Sequence, residues 1–224
     1  MPHRNPYIAD GLVAWWDGIW NAGLGVHDAA ATVWTDLVGG RQLVPALRVS
    51  FGANCMAFPA NAASPGAAAL DVTSLHATQV EIVFAVDRIN SDTYGEALVL
   101  TIPDGSARYG LAIQKYGPNV YFTMNGGRII TTMYVTEATP TSVSYTRANH
   151  ASISGWTVWQ DGQTLALHRE SFNIGVESYL AASGRSSGKK FIGRIHCIRL
   201  YNRALTDAEV AANYAVDKAR FNLP

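Results

Sequence analysis

The stretch FIGRIHCIRLYNRALTDAEVAANYAVDKARF, residues 191–221, decides the fold prediction for this chain. Its first part, FIGRIHCIRLY, is rich in β-branched and aromatic residues and predicts one buried strand. A short polar turn follows, and the residues after it have helical spacing. A strand and a helix must each bury an apolar face against another element, so the rest of the chain has to supply a sheet.

The segment after the turn predicts a short C-terminal helix. Thr206 stands three residues before Glu209, which is the spacing of a capping box. We therefore predict a helix over about residues 206–218. Val210, Tyr214 and Phe221 recur at roughly helical spacing and form an apolar stripe. This stripe predicts that the helix lies against the sheet or covers its edge.

The rest of the chain is strand-patterned. Short β-branched and aromatic runs follow one another from LVAWWD (12–17) to QTLALHR (163–169), and Gly, Pro, Asn and Asp separate them. The turn signals GPN (117–119), NGG (125–127) and DG (161–162) each separate two such runs, and the last predicts a hairpin in WTVWQDGQTLAL. The pattern predicts an all-β sandwich or barrel of antiparallel strands, forming a single domain over residues 1–224.

Composition and charge exclude some classes of partner. Lys plus Arg and Asp plus Glu each number 17, so no basic surplus exists to bind nucleic acid or an anionic membrane surface. No apolar run approaches the length of a membrane span, and the first residues lack the pattern of a signal peptide. The low charged fraction of 15% is typical of exported proteins. We expect an extracellular, cell-surface or virion location and no membrane insertion.

The chain has two cysteines, Cys55 and Cys197, both inside strand-like runs. Two cysteines are too few for a disulfide framework, and they lack the spacing of a zinc site. Two buried reduced thiols are the simpler interpretation, and a single disulfide between them is the alternative.

Four segments together resemble a known family. DGLVAWWDG (10–18), VWTDLVGGRQLV (33–44), WTVWQDGQTLAL (156–167) and FIGRIHCIRLYNRALTDAEVAANY (191–214) are similar, in order and spacing, to the laminin G-like modules of the concanavalin A-like lectin and glucanase superfamily. The resemblance runs nearly end to end, and the closing strand, turn and helix are its most specific part. It implies a jelly-roll sandwich of two antiparallel sheets in which the last strand pairs beside the first.

The resemblance leaves function open, because members of this superfamily bind glycans or proteins, some bind calcium and some hydrolyse polysaccharides. For calcium, the segment DRINSDTYGE (87–96) gathers hard oxygen donors at Asp87, Asn90, Asp92 and Glu96. Their spacing matches no EF-hand, and the family's calcium positions do not map cleanly here. A solvated acidic loop is the simpler interpretation, so no cofactor is required and calcium is optional.

The sequence does not predict an enzyme. The superfamily's glucanases carry paired acids on one strand in the pattern Glu-x-Asp-x-x-Glu, and this chain has no such pattern. Glu81 is the only acid inside a convincing strand, and a lone strand Glu is more often solvated or paired than catalytic. His27 and Asp28 are adjacent in the sequence. Adjacent residues of a strand point to opposite faces, so these two residues are more simply part of a surface loop than a catalytic pair.

Aromatic residues near turns suggest a ligand patch. Trp159 shares a strand face with polar neighbours, which favours exposure, and Tyr116 lies next to a turn in similar company. Asn125 and Arg128 lie at a nearby loop tip. We predict a ligand-binding set of Tyr116, Asn125, Arg128 and Trp159, since sugars stack on aromatic rings beside polar groups. Ordinary surface aromatics and turn residues are the simpler alternative.

The two consecutive tryptophans and a basic run each have a structural and a functional interpretation. Trp15 and Trp16 are consecutive, so only one can enter the core of a sandwich, and the other needs cover from the C-terminal helix or from a partner. The basic run GRSSGKKFIGR (184–194) is most simply a soluble connection, and a patch for anionic glycans is the alternative.

These observations favour a non-catalytic binding or adhesion module that recognises a glycan or a surface protein. The main alternative is a structural or assembly protein of a virus particle, such as a tail or capsid decoration, with protein partners. A glycosidase is the third possibility. The sequence predicts neither the identity of the ligand nor the oligomeric state.

Overall fold

The structure is a computed structural model that describes the backbone of most of the chain. The described residues are 4–59, 70–87, 94–101, 108–116, 119–124, 128–133, 135–146, 152–153, 156–168, 172–173, 179–182 and 191–224. Side chains are described over 4–59, 70–87, 135–146, 157–165 and 191–224.

The described residues are mostly strands, with one 3₁₀ turn at Thr73–Leu75 and one α-helix, α1, at Asp207–Phe221. In chain order the strands are β1 (Leu12–Asp17), β2 (Trp34–Thr35), β3 (Gln42–Leu43), β4 (Ser50–Gly52), β5 (Cys55–Phe58), β6 (Leu70–Asp71), β7 (Gln79–Val86), β8 (Tyr94–Thr101), β9 (Arg108–Tyr116), β10 (Asn119–Met124), β11 (Arg128–Met133), β12 (Thr141–Thr146), β13 (Ser152–Ile153), β14 (Trp156–Gln160), β15 (Gln163–His168), β16 (Phe172–Asn173), β17 (Tyr179–Ala182) and β18 (Gly193–Tyr201).

The strands form two large antiparallel sheets. The eight-stranded sheet runs in the order β15-β14-β12-β7-β18-β5-β4, and β1 also pairs with β18. One edge of β18 is shared, because β5 pairs with residues 193–195 and β1 pairs with residues 197–201. The six-stranded sheet runs in the order β11-β10-β9-β8-β17-β6. The predicted antiparallel all-β fold, with its last strand beside its first, is confirmed.

The main core lies on the inner face of the eight-stranded sheet. Strand alternation places every second residue of β7 there, from Val80 to Val86. In β18 a bulge at His196 shifts the alternation, so Ile195 and Ile198 both face this core. Leu70 of the six-stranded sheet packs against the same cluster, which is the packing of a two-layer sandwich.

The predicted hairpin WTVWQDGQTLAL is present as β14 and β15. Asp161 and Gly162 have φ angles of +48° and +76°, as the tight two-residue turn between twisted strands requires. A Cβ atom on Gly162 would lie 2.7 Å from Cδ1 of Tyr214 in α1. Glycine is therefore required here both for the turn and for the close approach of the helix.

The DLVGG segment is a loop organised by Asp36. Its carboxylate accepts hydrogen bonds from the backbone N–H of Trp15 at 2.8 Å and of Val38 at 2.9 Å. Arg41 donates to the same carboxylate at 2.9 Å. The loop is thereby tied to β1, and Asp36 is buried as a structural residue rather than presented to solvent.

Helix α1 begins with the predicted capping box and extends three residues beyond the predicted end, to Phe221. Thr206 accepts from the Glu209 backbone N–H at 3.3 Å, and Glu209 accepts from the Thr206 backbone N–H at 2.9 Å. The helix lies on the outer face of the eight-stranded sheet, not along its edge, because its buried side chains contact β7, β12 and β18. No helix of the described residues is long and apolar enough to cross a membrane.

Both consecutive tryptophans are buried, on opposite faces of the eight-stranded sheet. Trp16 belongs to the inner core. Trp15 lies on the outer face, in a cluster with Phe221 of α1 and with Tyr7, whose ring centroid is 5.2 Å away in an edge-on arrangement. The prediction that the second tryptophan needs cover is confirmed, and α1 with the N-terminal segment supplies it.

Cys55 and Cys197 are both free and buried. Burial raises the pKa of both thiols, so neither is activated as a nucleophile. The interpretation as two reduced thiols is confirmed.

Candidate functional site

The outer face of the six-stranded sheet can be traced from its backbone register. At the edge strand β6, Leu70 packs on the core while Asp71 is exposed, so the row containing Asp71 marks the outer face. Asp71 pairs with Tyr179, which pairs with Thr101. Because directly opposed residues of antiparallel strands share a face, this row fixes the outer set on each following strand.

The outer set is rich in tyrosine and in uncharged polar residues. Thr101 pairs with Arg108, and alternation along β9 then assigns every second residue to the outer face. We call this set the tyrosine face: Asp71, Tyr94, Glu96, Val99, Thr101, Arg108, Gly110, Ala112, Gln114, Tyr116, Asn119, Tyr121, Thr123, Ile129, Thr132, Tyr179 and Ala181. The alternate set on β10 is Val120, Phe122 and Met124, an apolar series typical of a core-facing row.

One row of the tyrosine face combines aromatic and amide residues. Gln114 pairs with Tyr94 on one side and with Tyr121 on the other, and Thr132 continues the row on β11. Adjacent strands lie about 4.8 Å apart, which separates the Tyr94 and Tyr121 positions by about 10 Å. Tyr116 and Asn119 form the next row of this face, and Tyr179 occupies a row near its other end.

The structure does not bring the four predicted ligand residues together. Tyr116 belongs to the tyrosine face, at the end of β10 where it pairs with Asn119. Arg128 pairs with Met124 at the opposite end of β10, in the alternate set. Asn125 lies outside the described residues, and Trp159 lies on the other sheet. The ligand set as a whole stays a prediction, with Tyr116 as its member on this face.

The prediction that Trp159 is exposed is wrong. Its side chain is 4% exposed and packs with Tyr201, Leu205 and Val210. Its Nε1 donates a hydrogen bond to Asp207 at 2.9 Å. Trp159 does stand on the outward face of its strand, but α1 covers that face, and neither strand alternation nor the polar neighbours could show this cover.

The predicted calcium donors are not assembled among the described residues. Asp87 forms an ion pair with Arg194, at 3.0 Å between Oδ1 and Nε. Glu96 pairs with Ala112 on the tyrosine face, whereas Asn90 and Asp92 lie outside the described residues. Over the part of the chain that is described, no group of three His, Cys, Asp or Glu side chains is placed to hold a metal ion. Calcium binding stays a prediction.

The eight-stranded sheet carries a buried charged cluster on its outer face, beneath α1. Arg199 donates from Nε to Glu81 at 2.8 Å and from both terminal nitrogens to Asp217 of α1, at 2.7 and 2.6 Å. All three side chains are at most 2% exposed. Burial raises the pKa of Glu81, as does the nearby Asp217, while Arg199 opposes the rise.

Neighbouring side chains complete this cluster. Asn213 donates to Glu81 and to the Tyr201 hydroxyl, each at 2.9 Å, and accepts from the Ile8 backbone N–H at 3.0 Å. The ring of Tyr7 lies against the guanidinium of Arg199, with 3.9 Å between Cζ and the ring centroid. The N-terminal segment and α1 therefore close this face of the sheet together.

The structure shows whether Glu81 is solvated, paired or catalytic. Glu81 is paired, as its strand position favoured, and Asp217 is the second acid that sequence reasoning missed because it lies on the helix. The Arg199 guanidinium bonds both carboxylates, and neither reaches solvent. His27 and Asp28 are exposed, which confirms their interpretation as loop surface.

His196 is buried at the bulge of β18. Its Nδ1 lies 3.0 Å from the carbonyl oxygen of Asn54, and its ring centroid lies 5.5 Å from that of Phe221. Nε2 has no hydrogen-bond partner among the described residues. Burial lowers the pKa of His196 to about 4, so the ring is neutral at neutral pH.

Comparison with known proteins shows the fold. No family model and no curated protein matches the chain. Among solved structures, Trypanosoma rangeli sialidase matches with a TM-score of 0.67 at 18% identity, over 91% of this chain and 32% of the sialidase chain. Domain 4 of AbnA, a GH43 extracellular arabinanase from Geobacillus stearothermophilus, in complex with arabinotriose, matches with a TM-score of 0.59 at 12% identity, over 91% of this chain and 98% of that domain. The Ruminococcus gnavus IT-sialidase CBM40 bound to α2,3 sialyllactose matches with a TM-score of 0.50 at 13% identity, over 71% of this chain and 95% of that module.

These likenesses are structural, at identities that show the fold alone. The chain spans about a third of the length of the sialidase chains that it matches. It spans nearly the whole length of the arabinanase domain and of the carbohydrate-binding module. The fold is thus one that occurs in domains of glycosidase-related proteins.

Proposed function

We propose that this chain is a non-catalytic glycan-binding module of the laminin G-like type, and that it binds its ligand on the tyrosine face. The observation that carries the proposal is the row in which Gln114 lies between Tyr94 and Tyr121 across three neighbouring strands. Aromatic rings provide flat apolar surface for the C–H faces of a sugar, and amide groups between them reach its hydroxyls.

The contrast between the two sheets supports this location. The eight-stranded sheet is covered by α1 and by the N-terminal segment, and the charged groups beneath them bond one another. Among the described elements, α1 and the N-terminal segment cover the eight-stranded sheet and do not cover the tyrosine face. The six-stranded sheet is therefore the layer that we assign to ligand contact.

The solved structures support the ligand class. A domain of nearly the same extent was determined with arabinotriose, and a carbohydrate-binding module was determined with sialyllactose. Both relatives of the fold hold an oligosaccharide. The proposal extends this property to the present chain on the strength of the tyrosine face.

We propose that binding needs no cofactor, that calcium is optional, and that the module acts outside a cell or on a virus particle. Repeating each binding measurement in EDTA tests the metal, since loss of binding would show that a divalent cation is required.

The test is a glycan array followed by calorimetric titration of the best ligand. Tyr121→Ala is expected to weaken binding about tenfold or more, because an aromatic contact contributes about 0.5–1.5 kcal/mol beyond the area that it buries. Gln163→Ala is the matched control, since Gln163 is exposed on β15 of the other sheet.

Circular dichroism must show that both variants are folded. Absence of binding across the array would overturn the proposal. Absence of binding together with tight self-association would favour the assembly function in a virus particle.

A further inference from the structure

We propose that the tyrosine face selects neutral oligosaccharides and discriminates against sialylated and other acidic ones. This inference rests on the proposed function and adds the class of glycan. It is carried by the charges that the backbone register places on this face. Asp71, Glu96 and Arg108 are its charged members, so its formal charge is negative among the described positions.

The position of Arg108 separates it from the aromatic row. Arg108 and Gln114 are six residues apart on β9, which corresponds to about 20 Å along the strand. A sugar stacked at Tyr94 or Tyr121 is thus too far from Arg108 for its carboxylate to be paired there. Recognition of a carboxylate is strongest through a close, often bidentate, contact with Arg. Among the described positions of the tyrosine face, no Arg is placed to make that contact at the aromatic row.

The two acids of this face both lie on the β8 side of Arg108, at a distance from it. Asp71 and Arg108 lie in one row, three strand spacings or about 14 Å apart. Glu96 pairs with Ala112, which is four residues from Arg108 along β9 and two from Gln114. An acidic sugar bound near Tyr94 would therefore lie closer to the like charge of Glu96 than to Arg108, the cation that the described strands place on this face.

The other cations of the described residues are engaged or lie elsewhere. Arg199 and Arg220 form ion pairs beneath or beside α1, and Arg194 is paired with Asp87. Lys115 and Arg128 belong to the alternate set of their strands. Arg185, Lys189 and Lys190, of the run considered for anionic glycans, lie outside the described residues.

The ligands of the two solved structures differ in charge. Arabinotriose is neutral, whereas sialyllactose carries a carboxylate on its terminal sugar. On fold alone, this chain could share either preference. The distribution of charge on the tyrosine face favours the neutral group.

The experiment compares matched ligands that differ by one acidic sugar. Lactose and α2,3 sialyllactose form one such pair, arabinotriose serves as a second neutral probe, and an array of further neutral and sialylated pairs covers other backbones. Titrations are run at low and at physiological salt, because a repulsive contribution shrinks as salt screens it. We expect each acidic ligand to bind no tighter than its neutral counterpart, and the difference to narrow at the higher salt.

Two variants identify the groups responsible. Glu96→Gln is expected to raise the affinity for acidic ligands about two- to fivefold relative to that for neutral ligands, as for removal of a like charge. Arg108→Gln is expected to leave the ratio of acidic to neutral affinity unchanged, because Arg108 lies about 20 Å along the strand from Gln114.

The outcomes separate this inference from the function on which it rests. Tighter binding of the sialylated partner, reduced by Arg108→Gln, would overturn the neutral preference while the glycan-binding function stands. Absence of binding to every neutral and acidic probe would overturn both. Binding of neutral probes that is lost in Tyr121→Ala, with acidic partners weaker, establishes the inference.

Discussion

At the scale of single residues, several buried polar side chains stabilise the interior of the fold. His196 shows this directly. Its hydrogen bond to the Asn54 carbonyl and its contact with Phe221 are made by a neutral ring, and protonation of Nε2 would create a buried charge with no acceptor among the described residues.

His196 should therefore make folding sensitive to mild acid. The pKa of His196 is about 4 in the folded chain, against the ordinary value of 6.5 for histidine, so the unfolded chain binds a proton more readily. The stability that this difference contributes is fully present above pH 6.5 and is lost as the pH falls toward 4, by about 3 kcal/mol in total. The measurement is the free energy of unfolding in urea from pH 7.5 to 4.

Asp17 and Glu81 act in the opposite direction. Burial raises the pKa of both carboxyls, so their contributions to stability are fully present below their unfolded pKa values and are lost as the pH rises through the folded ones. Comparison with His196→Gln isolates the histidine, since both proteins share these acids. An equal pH slope in the variant and the parent would contradict the assignment.

The cluster around Arg199 gives a second prediction at this scale. Arg199→Met leaves two carboxylates buried without their cation and should cost about 3–5 kcal/mol of unfolding free energy. Glu81→Gln keeps an oxygen that can accept from Arg199 and Asn213 and leaves Arg199 paired with Asp217, so it should cost under about 1 kcal/mol. Urea denaturation at pH 7 measures the free energy of unfolding of both variants. An equal loss in Arg199→Met and Glu81→Gln would contradict the expectation that Asp217 is a sufficient partner for Arg199.

At the scale of elements, α1 is a cover whose buried face is half polar. The buried residues on it are Val210, Asn213, Asp217 and Phe221. The apolar stripe that predicts this helix includes Val210 and Phe221, but the polar pair between them was not predictable, because its partners on β7 and β18 are distant in sequence. Periodicity locates a helix, whereas its polar partners depend on the packed fold.

Trp159 tests the position of this cover. Trp159→Ala should lower the unfolding free energy by about 3–5 kcal/mol, since it removes a large buried ring and its hydrogen bond to Asp207. It should not change the glycan affinity of the folded fraction. Calorimetric titration below the unfolding transition checks the second point, and a weakened affinity with unchanged stability would instead restore Trp159 as a ligand residue.

At the scale of the whole molecule, the sandwich has two unlike outer faces. One is closed by the chain's N-terminal segment and α1, and the other is the tyrosine face. The strand that completes the fold and the helix after it were predictable, because each has a strong local pattern. The pairing of that strand with β1 was predicted only from the family resemblance. Short strands such as β6 and β17 were not, because two to four residues form a strand only when a longer neighbour supplies the hydrogen bonds.

The proposed ligand site was only partly predictable for the same reason. Tyr116 was found from its turn, but its companions Tyr94 and Tyr121 became visible only in the register of three strands. Trp159 shares their sequence pattern and lies on the other sheet, beneath a helix. Residue type and alternation suggest candidates, and the register of the sheets decides which of them belong together.

Mapping the bound glycan by NMR tests the central claim most directly. A titration of isotopically labelled protein with the tightest neutral oligosaccharide from the array should produce its largest amide shifts along β9 and β10, around Gln114 and Tyr121. Largest shifts on α1 and the eight-stranded sheet, with β9 and β10 unchanged, would contradict it.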